Sequence, residues 1–220
     1  MSDPVVPGAS PAVSPDSVAP ALLRLGAATL GESGGQAMRN RVRAAWPGAV
    51  LAAPAYPVKC TPGDNLAIHV AVTRAPAGSA LVVDVGPERE LGYWGEVLTT
   101  AAEARGLVGL VIDGCVRDVA ALEAHAFPVF STGLALRGAT KQSRGTIGGQ
   151  ALVGEVTVRR GDWIVGDRDG VVAVPGPSLD AVIVAGETRA GKEAGYFAAL
   201  RDGATTVELL GLDVGPVKEA

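Results

Sequence analysis

The segment 95–133 restricts the fold most strongly, because helical and strand-like patterns alternate there with very short connections. Its first stretch (96–106) has apolar residues at helical spacing and ends at Gly106, a typical helix stop. The following stretches are strand-like, loop-like, helical and strand-like in that order: LVGLVID (107–113), GCVR (114–117), DVAALEAHA (118–126) and FPVFSTGLAL (127–136). Together with the β-branched run ALVVDVG (80–86), this alternation predicts an α/β fold with parallel strands.

The N-terminal part of the chain has weaker patterns. Residues 1–20 contain five prolines and no clear periodicity, which predicts a flexible leader. The stretches that follow predict a helix, a loop, a second helix and an extended segment: roughly 18–28, 31–37, 38–46 and 49–60. Pro54 and Pro57 lack backbone donors, so we expect the extended segment to lie near a sheet edge. Residues 65–75 combine helix and strand signals.

The C-terminal third has a different pattern. Residues 151–175 alternate apolar and polar positions and contain the turn signals RRGD and DRDG, which predicts antiparallel hairpins. From Leu179 to about Arg201 the pattern is helical. We therefore expect residues 21–220 to form one mixed α/β domain with a β-rich second layer.

Composition excludes several functional classes. The chain has 220 residues, of which 48% are hydrophobic and 19% charged, so it can bury a core and is not disordered. Its net charge of −4 argues against binding to a nucleic-acid backbone. No apolar run approaches the ~18–20 residues of a membrane span, and no Lys or Arg precedes Arg24, as a secretory signal would require. With only Cys60 and Cys115 as thiols, the sequence predicts a cytoplasmic protein that contacts neither nucleic acid nor membrane.

Two groups of residues in the 95–133 segment could carry chemistry. Residues 95–98 would begin a helix, whose free N–H groups can hold a carboxylate or a phosphate. Arg117 and Asp118 would follow the next strand, at the edge where open α/β sheets bind ligands. An arginine beside a carboxylate that can bind a metal suits a small dicarboxylate or 2-oxo acid. Asp118 as a simple helix cap and Arg117 as a surface ion-pair residue are the structural alternatives.

The segment GEVLTTAAEARGLVGLVIDGCVRDVAALEAHAFPVFSTG (95–133) resembles the RraA-like family. That family contains divalent-metal 4-hydroxy-4-methyl-2-oxoglutarate/4-carboxy-4-hydroxy-2-oxoadipate aldolases and the regulator of ribonuclease E activity. The stretches 80–86 and 161–175 resemble the family's flanking strand and later hairpin, so the resemblance covers roughly 65–213. It implies a mixed-sheet α/β sandwich related to swivelling phosphohistidine domains. It also implies assembly into homotrimers or hexamers.

The resemblance implies roles for the matched residues. Gly95, Glu96, Val97 and Leu98 match the loop whose backbone amides hold the oxo-acid end of the substrate. In the family, the residue at the position of Glu96 also reaches the metal through water. Arg117 matches the arginine that binds the substrate carboxylate and stabilises the enolate.

The implied metal is Mg²⁺ or Mn²⁺, and Asp118 matches its single direct protein ligand. The aldolases also use a carboxylate from the C-terminal helix of a neighbouring subunit, which reaches the metal through water. By position, Glu193 is our candidate for that carboxylate and Glu187 is the second choice.

The implied activity is metal-dependent cleavage or formation of a 4-hydroxy-2-oxo acid through a pyruvate enolate, with decarboxylation of oxaloacetate as a side activity. Two alternatives stay open. One is a non-catalytic regulator that binds a ribonuclease or helicase. The other is a specialised lyase or decarboxylase for another oxo acid, suggested by aromatic bulk at Tyr93 and Trp94. Ordinary interface packing is the structural alternative for these two residues.

Other residues receive structural interpretations. His69 lies in an apolar stretch and is interpreted as a core or edge histidine. His125 could approach a neighbouring subunit, and Lys141 is interpreted as part of a solvated loop. Near the N-terminus the family has a Ser-Asp-Ala type stretch, where this chain has LGAATLGESGG (25–35).

Overall fold

A computed structural model describes residues 15–218 of the chain. Its α-helices are α1 Pro15–Glu32, α2 Leu66–Arg74, α3 Glu96–Glu103, α4 Val119–Ala124, α5 Leu179–Arg201 and α6 Thr206–Leu210. The first strands are β1 Gln36–Ala37, β2 Arg43–Ala44, β3 Leu51–Lys59, β4 Ala80–Asp84, β5 Gly109–Ile112, β6 Cys115–Val116 and β7 Val129–Ser131. The later strands are β8 Gly133–Leu134, β9 Thr146–Ile147, β10 Gln150–Val153, β11 Val156–Arg159, β12 Trp163–Gly166 and β13 Val171–Val174. No helix in this part of the chain is long and apolar enough to cross a membrane.

One mixed sheet organises the fold, with the strand order β1-β13-β12-β3-β4-β5-β7-β2. Strands β3, β4, β5 and β7 are parallel, and α2, α3 and α4 lie in the connections between them. This arrangement confirms the predicted α/β fold with parallel pairing. Because the strands run in the same direction, the segments that follow β4 and β5 meet at one edge of the sheet.

Two layers cover the faces of this sheet. Leu81 and Val83 point to the face packed against α2, α3 and α4, whereas Ala80 and Val82 point to the opposite face. The β10–β11 hairpin packs on that second face, and α1 and α5 pack together over β12 and β13. Because alternate residues of a strand point to opposite faces, one run of apolar residues contributes to two separate cores. This confirms the predicted sandwich.

The prediction that residues 49–60 lie near a sheet edge is wrong, because β3 lies between β12 and β4. Successive N–H groups of a strand point to opposite sides. The Ala55 N–H donates to the Asp162 carbonyl at 2.8 Å on the β12 side. The nitrogen of the preceding Pro54 therefore faces the β4 side, where strand pairing begins only at Ala55. The Pro57 carbonyl accepts from the Gly148 N–H at 2.8 Å, in the gap between β12 and β9. Both prolines therefore occupy positions where no strand needs their N–H.

Three other predictions differ from the structure in their boundaries or type. The helix expected over 38–46 does not form, and this stretch contains β2, which pairs with β7. The predicted leader (1–20) lies outside the described residues up to position 14, whereas residues 15–20 belong to α1, which is longer than predicted and interrupted at Gly26. Burial of Val18 and Leu22 against α5 and β13 favours this longer helix.

Residues 151–175 form the two antiparallel hairpins that the alternation predicts. DRDG (167–170) closes the second hairpin, but RRGD (159–162) joins the two and closes neither. The first hairpin closes at Gly154 and Glu155, which both have positive φ angles (55° and 66°), as tight hairpin turns require. The helix predicted from Leu179 to Arg201 is confirmed.

Candidate functional site

The loop after β4 and the loop after β5 are hydrogen-bonded to each other. The Tyr93 N–H donates to the Cys115 carbonyl at 3.1 Å, and the Arg117 N–H donates to the Trp94 carbonyl at 2.9 Å. These bonds place Gly95, the residue before α3, directly beside Asp118, the residue before α4. The two parallel connections thus bring the start of α3 next to an arginine and a carboxylate.

Gly95 is required by this close approach. Its φ of −169° is extended backbone that any residue adopts, so conformational freedom is not the reason for glycine here. A Cβ atom at this position would lie 2.3 Å from Asp118 Oδ2 and 3.2 Å from Arg117 Cγ. The absence of a side chain at position 95 therefore makes room for the charged pair.

Asp118 has a left-handed backbone, with φ 59° and ψ 35°, which is uncommon for a residue other than glycine. It occupies the N-cap position of α4, as predicted, but its side chain makes no capping bond to that helix. Instead, Asp118 Oδ2 accepts a hydrogen bond of 3.2 Å from the Glu96 N–H at the start of α3. Within residues 15–218, Oδ1 has no hydrogen-bond partner. A strained carboxylate with a free oxygen is typical of a functional position.

Arg117 lies beside three positions without side chains. A Cβ atom built on Gly92, Gly95 or Gly138 would lie 3.0, 3.2 or 3.4 Å, respectively, from the nearest atom of the Arg117 side chain. Its Nε is 3.8 Å from Asp118 Oδ2, and its side chain is about half exposed, at 46%. In the described part of the chain it forms no other ion pair, so its guanidinium can bind an anionic ligand.

A cavity of about 190 Å³ opens between these groups. Gly95, Val97, Leu98, Arg117 and Asp118 all line it, so the structure brings together five of the residues singled out in the sequence. Its remaining walls come from α2, the loop before Gly95 and the loop after β8: Asn65, His69, Gly92, Tyr93, Trp94, Gly138, Ala139 and Lys141.

Asn65, His69 and Lys141 line the cavity although the sequence does not indicate them. The sequence favours a structural role for His69 and a solvated loop around Lys141. Asn65 and His69 are four residues apart and therefore share one face of α2, which is the signal that could have indicated them. The spacing alone does not show whether this face meets the site.

Tyr93 and Trp94 are buried inside the chain, with exposures of 0% and 1%. The Tyr93 hydroxyl accepts from the Gly63 N–H at 3.0 Å and donates to the Glu88 carbonyl, and burial raises its pKa. Trp94 stacks on Phe127 with ring centroids 6.0 Å apart. Both residues are therefore packed inside the chain, where they form part of the cavity wall. Neither is exposed enough to make the interface contact considered above.

Glu96 points away from the cavity. Its side chain is 57% exposed, and Oε1 lies 3.9 Å from His125 Nε2. His125 Nδ1 is in turn 2.7 Å from Glu103 Oε2, so the imidazole lies between two carboxylates of α3. His125 thus has partners within its own chain, and contact with a neighbouring subunit stays a prediction.

The two carboxylates proposed from α5 do not reach this cavity within the chain. Glu193 pairs with Arg189 at 2.9 Å, and Glu187 pairs with Arg24. The described residues contain no group of three His, Cys, Asp or Glu side chains placed to hold a metal ion. Asp118 is the carboxylate that could hold a divalent cation at this cavity, since its Oδ1 is a hard, unshared oxygen ligand.

A buried aspartate fixes the loop that carries Lys141. The Asp64 carboxylate accepts from Gln142 N–H at 2.5 Å, Ser143 N–H at 3.1 Å, Leu66 N–H at 2.8 Å and Thr140 Oγ1 at 2.7 Å. Burial opposes ionisation of Asp64, but these hydrogen bonds outweigh it and lower its pKa from 3.8 to about 2. Ionised Asp64 therefore holds one wall of the cavity against α2.

We expect Asp64→Asn to lower the free energy of unfolding by about 2 kcal/mol at pH 7, because the amide cannot accept all four bonds. The folded-state pKa lies below the ordinary value. The stabilisation is therefore present above about pH 4 and is lost as the pH falls towards 2. Urea unfolding at pH 7 and pH 3 measures both effects, and the exposed Asp202→Asn is the control. Equal destabilisation by Asp64→Asn at both pH values would contradict the assignment.

The sequence of this chain is similar to that of other proteins. The family model described as RraA-like (Aldolase/RraA) matches residues 25–173. A provisionally named 4-hydroxy-4-methyl-2-oxoglutarate aldolase of Halalkalibacterium halodurans is 36% identical over 122 residues, which cover 56% of this chain and 58% of that protein. A protein of the same provisional name from Albidiferax ferrireducens is 35% identical over 131 residues, covering 56% and 75%.

A solved structure agrees in fold. The crystal structure of Streptomyces coelicolor RraAS2, described as an unusual member of the RNase ES inhibitor RraA protein family, superposes with a TM-score of 0.71. The alignment covers 86% of this chain and 99% of that one at 23% identity. At that identity the similarity establishes the fold alone. The sequence match spans little more than half of the length of the Halalkalibacterium protein.

Proposed function

Because this chain belongs to the RraA-like family, we propose that it is a cytoplasmic, divalent-metal-dependent lyase that cleaves or forms a 4-hydroxy-2-oxo acid through a pyruvate enolate. One observation carries the proposal. The Arg117 guanidinium, the Asp118 carboxylate and the N-terminal end of α3 face one cavity of about 190 Å³. A cation, a metal-binding carboxylate and free helix amides in one small cavity suit an anionic oxo acid.

Arg117 binds the carboxylate of the oxo acid and stabilises negative charge as the enolate develops. The backbone N–H groups of Val97 and Leu98 lie in the first turn of α3, where the positive end of the helix dipole favours the same anionic end of the substrate. Val97 and Leu98 contribute apolar surface to the cavity wall.

The metal fits the residues at this site. Asp118 offers an unshared carboxylate oxygen, and Mg²⁺ commonly keeps several waters while using one or two protein carboxylates. Mg²⁺ or Mn²⁺ would supply Lewis-acid stabilisation of the enolate charge. Asp118 would hold the ion directly, whereas Glu96 of the same chain and Glu193 of a neighbouring subunit would contact it through water. A homotrimer or hexamer would bring that Glu193 to the cavity.

Retro-aldol cleavage breaks the C3–C4 bond, and its electron pair becomes the enolate. The proton of the C4 hydroxyl must leave at the same time, and the enolate carbon must later receive one. Glu96, exposed outside the cavity beside His125, is the carboxylate that takes this proton through an intervening water molecule. Decarboxylation of oxaloacetate produces the same enolate, so we expect it as a side activity.

A second candidate function rests on a different observation. Leu134 and Leu136 are 63% and 91% exposed, and they line a second, apolar cavity beside Arg117 and Asp118. A non-catalytic regulator of the RraA type would use such a surface to bind a ribonuclease or helicase. This candidate predicts no consumption of oxo acid and retention of the partner by the purified protein.

The first experiment is an assay of pyruvate release from 4-hydroxy-4-methyl-2-oxoglutarate and from oxaloacetate, with Mg²⁺ and with EDTA. We expect pyruvate from both acids only when metal is present. Arg117→Ala should lower kcat/KM for both by about 10²–10³-fold, because the enolate loses its fixed cation. Arg105→Ala, which removes an exposed arginine at the end of α3, is the matched control. Failure of the wild-type protein to release pyruvate from either acid would favour the regulator.

A further inference from the structure

Two buried polar atoms in the wall of the cavity lack a hydrogen-bond partner. They are Asn65 Oδ1 and His69 Nε2, and no other buried side-chain nitrogen or oxygen in the described part of the chain shares this condition. Both residues line the cavity that also contains Arg117 and Asp118. Buried polar groups are nearly always paired in native proteins, so two unpaired atoms at one ligand cavity require an explanation.

The orientation of the Asn65 side chain is fixed by a contact behind the cavity. Asn65 is 4% exposed, and its Nδ2 donates to the Tyr93 carbonyl at 2.8 Å. Since a carbonyl only accepts, this bond identifies the other amide atom as Oδ1, which can only accept. Asn65 also occupies the N-cap position of α2 without making the capping bond that asparagine commonly makes there. The Asn65 side chain is therefore held at the cavity and does not cap α2.

His69 lies one helical turn further along the same face of α2. Burial lowers the pKa of His69, and the positive charge of Lys141 lowers it further, while Asp64 acts in the opposite direction. The neutral imidazole can donate or accept at Nε2, depending on its tautomer. The cavity therefore presents an obligate acceptor beside a group that can donate.

A hydroxyl group matches this pair, because it donates one hydrogen bond and accepts others. The same cavity carries the cations Arg117 and Lys141, which select an anion. An ammonium group, the other common donor, is disfavoured there by both cations. A carboxylate ligand lacking a hydroxyl would leave Asn65 Oδ1 unpaired.

We propose that Asn65 and His69 form a hydroxyl-recognition subsite that makes the cavity specific for hydroxylated carboxylates. This proposal rests on the proposed lyase function and assigns to this pair the C4 hydroxyl of the 4-hydroxy-2-oxo acid. Asn65 Oδ1 accepts a hydrogen bond from the hydroxyl group, and His69 Nε2 donates one to the hydroxyl oxygen. The subsite discriminates hydroxylated substrates from oxaloacetate, which undergoes its reaction without this group.

The test uses His69→Leu and Asn65→Ala, with His69→Gln as the conservative variant. We expect His69→Leu and Asn65→Ala each to lower kcat/KM for 4-hydroxy-4-methyl-2-oxoglutarate by about 10-fold or more. The value for oxaloacetate should change less than about 2-fold, and His69→Gln should restore much of the loss. His69→Leu should not lower the unfolding midpoint, because removal of an unpaired buried atom leaves no bond broken. This combination separates recognition from a structural role.

Equal losses for both acids, or no loss for either, would overturn the subsite while leaving the lyase function in place. If the wild-type protein converts neither acid, the lyase function fails and the subsite is decided by binding. Calorimetry then compares 4-hydroxy-4-methyl-2-oxoglutarate with 4-methyl-2-oxoglutarate, which differ only in the hydroxyl. Tighter binding of the hydroxylated acid that His69→Leu abolishes would support the subsite. Equal Kd values in the wild-type protein would overturn it.

Discussion

Replacing Asp118 with asparagine is expected to lower metal-dependent pyruvate release by at least about 100-fold, with little change in the free energy of unfolding. Asparagine tolerates the left-handed backbone at this position (φ 59°) and can still accept the 3.2 Å hydrogen bond from the Glu96 N–H. When the amide oxygen keeps this bond, an NH2 group replaces the free Oδ1, so the variant loses both the negative charge and the oxygen that would bind the metal. Loss of activity without loss of stability would therefore show that the carboxylate serves the chemistry.

The measurement pairs kcat/KM with the Kd for Mn²⁺ and with the urea midpoint. Asp118→Ala is expected to be equally inactive but also less stable by about 1 kcal/mol, because a Cβ-bearing residue without a polar side chain is strained at positive φ. Asp169→Asn removes the same charge from the exposed β12–β13 turn and serves as the control. Normal activity and normal Mn²⁺ affinity in Asp118→Asn would rule out the metal assignment.

Much of the fold follows from local patterns in the sequence. The helix over Leu179–Arg201 and the strand over residues 109–112 are predicted correctly, because their periodicity coincides with what the fold buries. The failures concern partners that are distant in the chain. The position of β3 in the sheet depends on its pairing with β9 and β12, which are about a hundred residues away in the chain. Pro54 and Pro57 alone favour an edge strand, because local residues do not reveal that pairing.

The site, like the fold, can be predicted from the sequence only in part. The motif around Arg117 and Asp118 could be identified from the residues, since it lies within one continuous segment. Asn65 and His69 could not, because their face of α2 becomes part of the cavity only through the Tyr93 carbonyl and the loop that Asp64 holds. Glu96 shows the opposite case. The motif places its backbone at the start of α3, whereas its side chain lies outside the cavity beside His125, and its contact with the metal through water stays a prediction.

Gly95→Ala is expected to lower turnover by about 100-fold or more through one added methyl group. The new Cβ would lie 2.3 Å from Asp118 Oδ2, which is too close for any contact, so the carboxylate and the start of α3 must separate. That movement breaks the Glu96 N–H contact and displaces Arg117, whose Cγ would be 3.2 Å away. Gly149→Ala, which meets nothing within 4 Å, is the matched control. Retained Mn²⁺ binding with normal kcat in Gly95→Ala would mean that the close approach of these two loops is not needed for activity.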